Sequence, residues 1–113
     1  MIRKGDVFWF GADPILGSEQ GGRRPAVVVS RNTINDFSPV IVIVPITTYR
    51  GQRLYPSDVL LVSPDGGLKS DSVALGLQIR AVDKSRLGGR IGALNDSSIK
   101  NLEAALLKVL DIQ

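Results

Sequence analysis

Two arginines and a threonine are the first residues whose types and settings could do chemistry. Arg23 and Arg24 close the glycine-rich stretch Gly17-Ser18-Glu19-Gln20-Gly21-Gly22. Glycines let backbone amides approach an anion closely, and guanidiniums offer planar, bidentate donors to phosphate. The stretch is not a phosphate-binding P-loop, because neither Gly-Lys-Ser/Thr nor a helix follows it. An ordinary hairpin loop with solvated arginines is the plain alternative. Thr47 stands at the end of the apolar run Val40 to Ile46. A hydroxyl there can point to whatever lies at a sheet rim, or satisfy a nearby backbone carbonyl.

A second basic stretch spans residues 49 to 56, where Tyr49 and Tyr55 flank Arg50 and Arg53. Aromatic faces beside guanidiniums suit base stacking, although the same tyrosines could simply anchor the loop. Further on, Arg80 could pair with Asp83 or Asp71, or hold a strand end near a site. Arginine outnumbers lysine nine to five, and no lysine lies between Lys4 and Lys69. That favours geometrically specific phosphate or base recognition over diffuse attraction.

Other chemistry is excluded by composition. The 113 residues include no cysteine and no histidine. Disulfides, thiolate nucleophiles, imidazole bases and thiolate or imidazole metal sites are therefore absent. The eleven acidic residues are scattered, with no close carboxylate pair and no metal-ligand spacing. No metal and no cofactor is expected. The net charge is +3, and all of the excess falls in residues 1–56, with seven basic and four acidic side chains. Such an imbalance suits an anionic partner, of which nucleic acid is the commonest.

The elements that must position these groups are mostly strands. The chain is 43% hydrophobic, enough for a real core, and its length suits one domain over 1–113. Asp6 to Phe10 reads as an aromatic-rich strand after a Gly-Asp turn pair. Residues 11 to 22 read as a long polar loop. Arg24 to Ser30 is the next strand, with Pro25 expected at its start because proline cannot donate to a ladder. Asn32 to Asp36 form a turn or one helical turn. Val40 to Ile46 is a near-continuous β-branched run, which suggests a strand covered on both faces. Short strands follow at 57–62, 72–75, 77–82 and 90–92, with a turn at Pro64-Asp65-Gly66-Gly67. Asn95 to Leu110 is the one convincing helix, with Ile99, Leu102, Leu106, Val109 and Leu110 forming an apolar stripe. Many short strands and a terminal helix mean a small, strongly bent sheet or barrel with the helix packed on it. The opening Met1-Ile2-Arg3-Lys4 lacks a signal-peptide run, and Val40 to Ile46 is too short to span a bilayer, so a soluble cytoplasmic protein without a membrane partner is expected.

Taken in order, these segments resemble a known family. Gly5-Asp6-Val7 is followed by Gly17-Ser18-Glu19-Gln20-Gly21-Gly22, then Arg24-Pro25-Ala26-Val27-Val28-Val29. Phe37-Ser38-Pro39, Pro45-Ile46-Thr47, Asp71-Ser72-Val73, Gln78-Ile79-Arg80 and Val82-Asp83-Lys84 follow with matching spacing. The whole is similar to the MazF/PemK toxin endoribonucleases. The resemblance implies an SH3-like barrel of the kind shared with CcdB toxins, a homodimer, and metal-independent cleavage of single-stranded mRNA. It also implies a cognate antitoxin with an acidic segment that neutralises the toxin.

By the same resemblance the catalytic arginine falls on Arg24 and the catalytic threonine on Thr47. Ser18 and Gln20 take the family's loop positions. Glu19, Gly21, Gly22 and Arg23 beside them, and Tyr49, Arg50, Arg53 and Gln78, are expected along the RNA path. Leu77 is a departure, because some members carry an acidic residue there, so any role of that acid is missing from this chain. RNA supplies its own nucleophile, the 2′-hydroxyl, and the protein needs to align it and stabilise the phosphorane. The resemblance implies that the arginine serves as acid and base, with Glu19 or water open as alternatives. Two other functions are compatible with a small basic β domain: a gyrase-trapping toxin of the CcdB kind, and a non-catalytic barrel that binds RNA or protein.

Overall fold

Alternation of apolar side chains on the central strands fixes the architecture. The computed structural model describes residues 1–11 and 23–113. Among them are seven strands: β1 (Asp6–Gly11), β2 (Arg23–Val28), β3 (Val40–Thr48), β4 (Asp58–Leu61), β5 (Ser72–Leu75), β6 (Arg80–Asp83) and β7 (Leu87–Ala93). Two helices, α1 (Asn32–Phe37) and α2 (Asp96–Leu110), complete the regular elements with three short 3-10 turns. All strand pairs are antiparallel, in the order β4-β5-β3-β2-β1-β7, and β6 lies against the first half of β3.

The β2 and β3 strands are buried on both faces. Val27, Val44 and Ile46 enter one core together with Leu102 and Ala105 of α2. Ala26, Val28, Ile41 and Ile43 enter a second core with Phe10 and Val82. A fully buried Val or Ile contributes roughly 1.5–3 kcal/mol, so these two strands are the best-anchored part of the molecule. The result is a mainly β, antiparallel fold with a C-terminal helix. Asn95 caps α2 by accepting a hydrogen bond from the Ser98 amide (2.8 Å).

Several details differ from the sequence expectation. Pro25 is the third residue of β2, opposite Trp9, and not its first. Leu77 and Gln78 belong to a 3-10 turn over Gly76–Gln78, so only residues from Arg80 onward form the strand. The last strand is longer than expected, beginning at Leu87. On α2 the buried stripe includes Ala105, whereas Leu110 is exposed.

No helix among the described residues is long and apolar enough to cross a membrane.

Candidate functional site

The site arises where β2 and β3 part. Their pairing covers only Ala26↔Pro45, Val27↔Val44 and Val28↔Ile43. Beyond Pro45 the β3 strand continues with β5 instead, through Ile46↔Ala74, Thr47↔Val73 and Thr48↔Ser72. Proline lacks an amide proton, and Pro25 and Pro45 both stand at this point, so neither residue can donate to a ladder there. Continued by two residues, the register would set Arg24 opposite Thr47. The strands splay there, and a groove opens between them.

That groove has a volume of about 700 Å³. Arg23, Arg24 and Pro25 line it from β2, and Ile46, Thr47 and Thr48 from β3. Trp9, Arg90 and Ile91 line it from β1 and β7, and Lys69 and Ser70 from the segment before β5. Arg50 stands at the end of β3. Five cationic side chains thus face one groove, and no Asp or Glu is among its described lining residues. Clustered charge of one sign in a cleft focuses the field on an anionic ligand.

Four of the five cations stand beside a local device that fixes their side chain or backbone. Arg23 crosses the backbone of β7 at Gly88, where an added Cβ would lie only 2.3 Å from its Nη2. Glycine is what leaves room for the guanidinium. Arg90 donates from Nη2 to Asp6 Oδ1 (3.2 Å), and Asp6 Oδ2 accepts from the Arg3 amide (2.9 Å). Arg50 donates its amide to Gln52 Oε1 (2.6 Å), while Gln52 Nε2 donates to the Thr48 carbonyl (3.2 Å). This closes the turn that follows β3. Lys69 and Ser70 follow Gly66 and Gly67, which pack edge-on against Ile91 and Gly92. A Cβ on Gly67 would meet the Ile91 carbonyl oxygen at 2.3 Å, and one on Gly92 would meet the Gly66 oxygen at 2.6 Å. Asp65 fastens the same turn to α2 by accepting from the Asn95 amide (2.8 Å).

The groove therefore brings together four of the sequence-expected residues: Arg23, Arg24, Thr47 and Arg50. Three others lie outside its lining. Arg53 sits over the Tyr55 ring, 5.3 Å from its centroid. The Tyr49 amide donates to the Asp71 carbonyl (2.9 Å), and its ring is not among the lining residues. Gln78 is exposed on its 3-10 turn. Ser18, Glu19, Gln20, Gly21 and Gly22 lie outside the described residues. The residues that flank them, Gly11 and Arg23, form a register pair. Arg86 donates two hydrogen bonds to the Gly11 carbonyl (3.1 and 2.9 Å), fixing the end of β1.

Sequence reasoning missed Trp9, Lys69, Ser70 and Arg90. A local signal existed for two of them. Lys69 follows the strongest turn in the chain, and Arg90 follows Gly88-Gly89. Arg80 makes neither of the ion pairs considered for it. It lies over the Phe10 ring at 5.4 Å, as does Arg86. Asp71 accepts from the Ser63 amide (2.9 Å), and Asp83 from the Ser85 amide (2.8 Å). That second bond, with a further one from the Ser85 side chain, holds the Asp83 carboxyl below its ordinary range.

Comparisons with known proteins agree in kind. Residues 3–110 match the family model described as PemK-like, MazF-like toxin of type II toxin-antitoxin systems. The chain is 37% identical over 106 residues to the endoribonuclease MazF of Staphylococcus saprophyticus, covering 94% of this chain and 88% of that protein. It resembles an endoribonuclease from a mycobacterial species solved in complex with its cognate antitoxin, at 26% identity and a TM-score of 0.79, over 100% of this chain and 97% of the other. A similar likeness joins it to MazF in the MazE–MazF complex of Deinococcus radiodurans, at 26% identity and a TM-score of 0.80, over 98% and 96%. The chain belongs to the PemK/MazF-like toxins of type II toxin–antitoxin systems, the family of its endoribonuclease relative.

Proposed function

We propose that this toxin is an endoribonuclease that cuts single-stranded mRNA in the cytoplasm, acts as a homodimer of a single-domain chain, and needs no metal. The observation that carries the proposal is the shared groove: Arg24 and Thr47 border one cationic cleft at the point where β2 and β3 part. A single-stranded backbone laid in that cleft brings a phosphate within reach of both. The 2′-hydroxyl oxygen attacks the adjacent phosphorus in line and the bond to the 5′-oxygen breaks, leaving a 2′,3′-cyclic phosphate and a 5′-hydroxyl. Arg24 takes the 2′-hydroxyl proton as base and returns a proton to the departing 5′-oxygen as acid, with Glu19 and water as the alternatives for the base.

Arg24 supplies guanidinium donors to the phosphorane oxygens, and Thr47 a hydroxyl donor. Arg23 and Arg50 grip flanking phosphates. Ser18, Glu19, Gln20, Gly21 and Gly22 also contact the RNA, and Tyr49, Arg53 and Gln78 contribute from outside the cleft. Unpaired bases can be splayed and read on their edges, which a duplex forbids. An acidic antitoxin segment seated in the same cleft would neutralise the cations and exclude RNA.

The test is incubation of the purified protein with a long RNA in EDTA, with mapping of new 5′ ends. Cleavage at a recurring short motif with 5′-hydroxyl ends is the expected result. Arg24→Ala should lower the rate about a hundred- to thousand-fold with the fold intact by circular dichroism. Intact RNA under every condition, or an Arg24→Ala protein as fast as the parent, would overturn the proposal.

A further inference from the structure

We infer that Trp9 is a stacking platform for an unpaired RNA base, placed in the cleft by a glycine bulge in the neighbouring strand. The inference rests on the cleft being an RNA path and adds a residue that reads the RNA there. Of the three consecutive aromatics on β1, Phe10 is only 1% exposed, whereas Trp9 is 42% exposed. Trp9 also lines the cationic groove. A half-exposed tryptophan in a cationic groove presents a broad π-face on which a base can stack.

Its exposure has a structural cause. On β7, Arg90 pairs with Phe8 and Leu87 with Phe10, so Gly88 and Gly89 together face Trp9 alone. Two residues opposite one is a bulge, a device that re-aims a side chain at the edge of a site. Neither glycine carries a side chain to cover the indole. A Cβ on Gly88 would come within 3.2 Å of the Trp9 Cβ and 2.3 Å of Arg23 Nη2. Opposite Trp9 on β2 stands Pro25, the residue after Arg24. The indole is thus bordered by Arg23 on one side and the Arg24-Pro25 step on another, with Arg90 also on the groove. A base laid on the ring would leave its own phosphates facing guanidiniums. Stacking tolerates all bases, because each has a π-face, but it favours purines by area. Trp9 therefore contributes affinity and a size preference at one position.

Trp9 is the only tryptophan in the chain, so its fluorescence reports this one site. The probe is a mixed-sequence RNA oligonucleotide with 2′-fluoro sugars, which lack the nucleophile and cannot be cut. It is compared with the same oligonucleotide made abasic throughout, and with inorganic polyphosphate. Quenching by the base-bearing oligonucleotide, with little change when either phosphate-only ligand saturates the protein, is the expected result. In cleavage assays Trp9→Leu should raise KM about tenfold to a hundredfold with kcat nearly unchanged, while Trp9→Phe retains most of the parent's affinity. Unaltered fluorescence at saturating oligonucleotide would overturn the inference, as would equal quenching by polyphosphate. Leu and Phe variants of equal KM would also overturn it. If quenching follows the bases while no RNA is ever cut, the stacking inference stands and the endoribonuclease proposal fails. If RNA is cut while the fluorescence stays silent, the reverse holds.

Discussion

The guanidinium of Arg90 is tied to the carboxylate of Asp6 across 3.2 Å, and the two differ sharply in exposure: the Arg90 side chain is 53% exposed and that of Asp6 only 7%. A buried anion on β1 thus aims a cation on β7 into the groove. Arg90→Ala should raise KM for RNA several-fold with kcat within about twofold. It should also reduce the salt dependence of RNA binding by about 0.7 in log–log slope, one phosphate contact on a single strand. Asp6→Ala removes the acceptor of the Arg3 amide as well. Its expected cost is about 1–3 kcal/mol of stability in urea denaturation. An unchanged salt slope in Arg90→Ala would remove Arg90 from the RNA path.

Thr47 offers a cleaner test of chemistry than of grip. Thr47→Val keeps shape and β-branching and deletes only the hydroxyl. If that hydroxyl stabilises the phosphorane, kcat should fall on the order of a hundredfold with KM little changed. Thr47→Ser should recover most of the rate. Single-turnover cleavage of a short RNA distinguishes these outcomes.

Gly67 has φ +74°, and its added Cβ would strike the Ile91 carbonyl oxygen. Gly67→Ala therefore combines left-handed strain with a clash, and a loss of more than about 2 kcal/mol is expected. The melting temperature should fall on the order of 10 °C. Gly51 has φ +81° but nothing within 4 Å of its Cβ position, so Gly51→Ala should cost only the backbone strain, about 1 kcal/mol. Comparing the two melting curves separates packing from conformation.

Asp83 links one turn to pH. Its folded-state pKa lies below the ordinary 3.8, chiefly because the carboxylate accepts from the Ser85 amide. The charged form is the stabilising one. Its contribution is fully present above pH 3.8 and is lost as the pH falls further, through the folded value. Urea midpoints measured at pH 6 and pH 3 should differ less in Asp83→Asn than in the parent. The group is fully exposed, so the difference is small.

The central strands were legible in the sequence because their signals are local. Val40 to Ile46 is β-branched except at Pro45, and its burial on both faces follows from that run. The helix was legible from its apolar stripe and from the cap-forming residues Asn95, Asp96 and Ser97 at its start. The strand expected at 77–82 failed at its start because the Ile79 amide donates back to the Gly76 carbonyl (3.2 Å), closing a tight turn over Leu77 and Gln78. For the site, Arg24 and Thr47 were found through resemblance and a strand-end position. Lys69 and Arg90 were not, because they reach the groove only through the distant packing of Gly66-Gly67 on Ile91-Gly92. Arg53 went the other way: its nearest attraction is the Tyr55 ring, and spacing alone cannot weigh a side chain's competing neighbours.

The parting of β2 and β3 at two prolines separates scissors from handles. Arg24 and Thr47 hang from the deepest strands, which open last, while Lys69 and Arg90 hang from the periphery. If Arg24 and Thr47 cut RNA as proposed, peripheral substitutions can redraw which RNAs are held, generation after generation, and leave the cutting pair untouched.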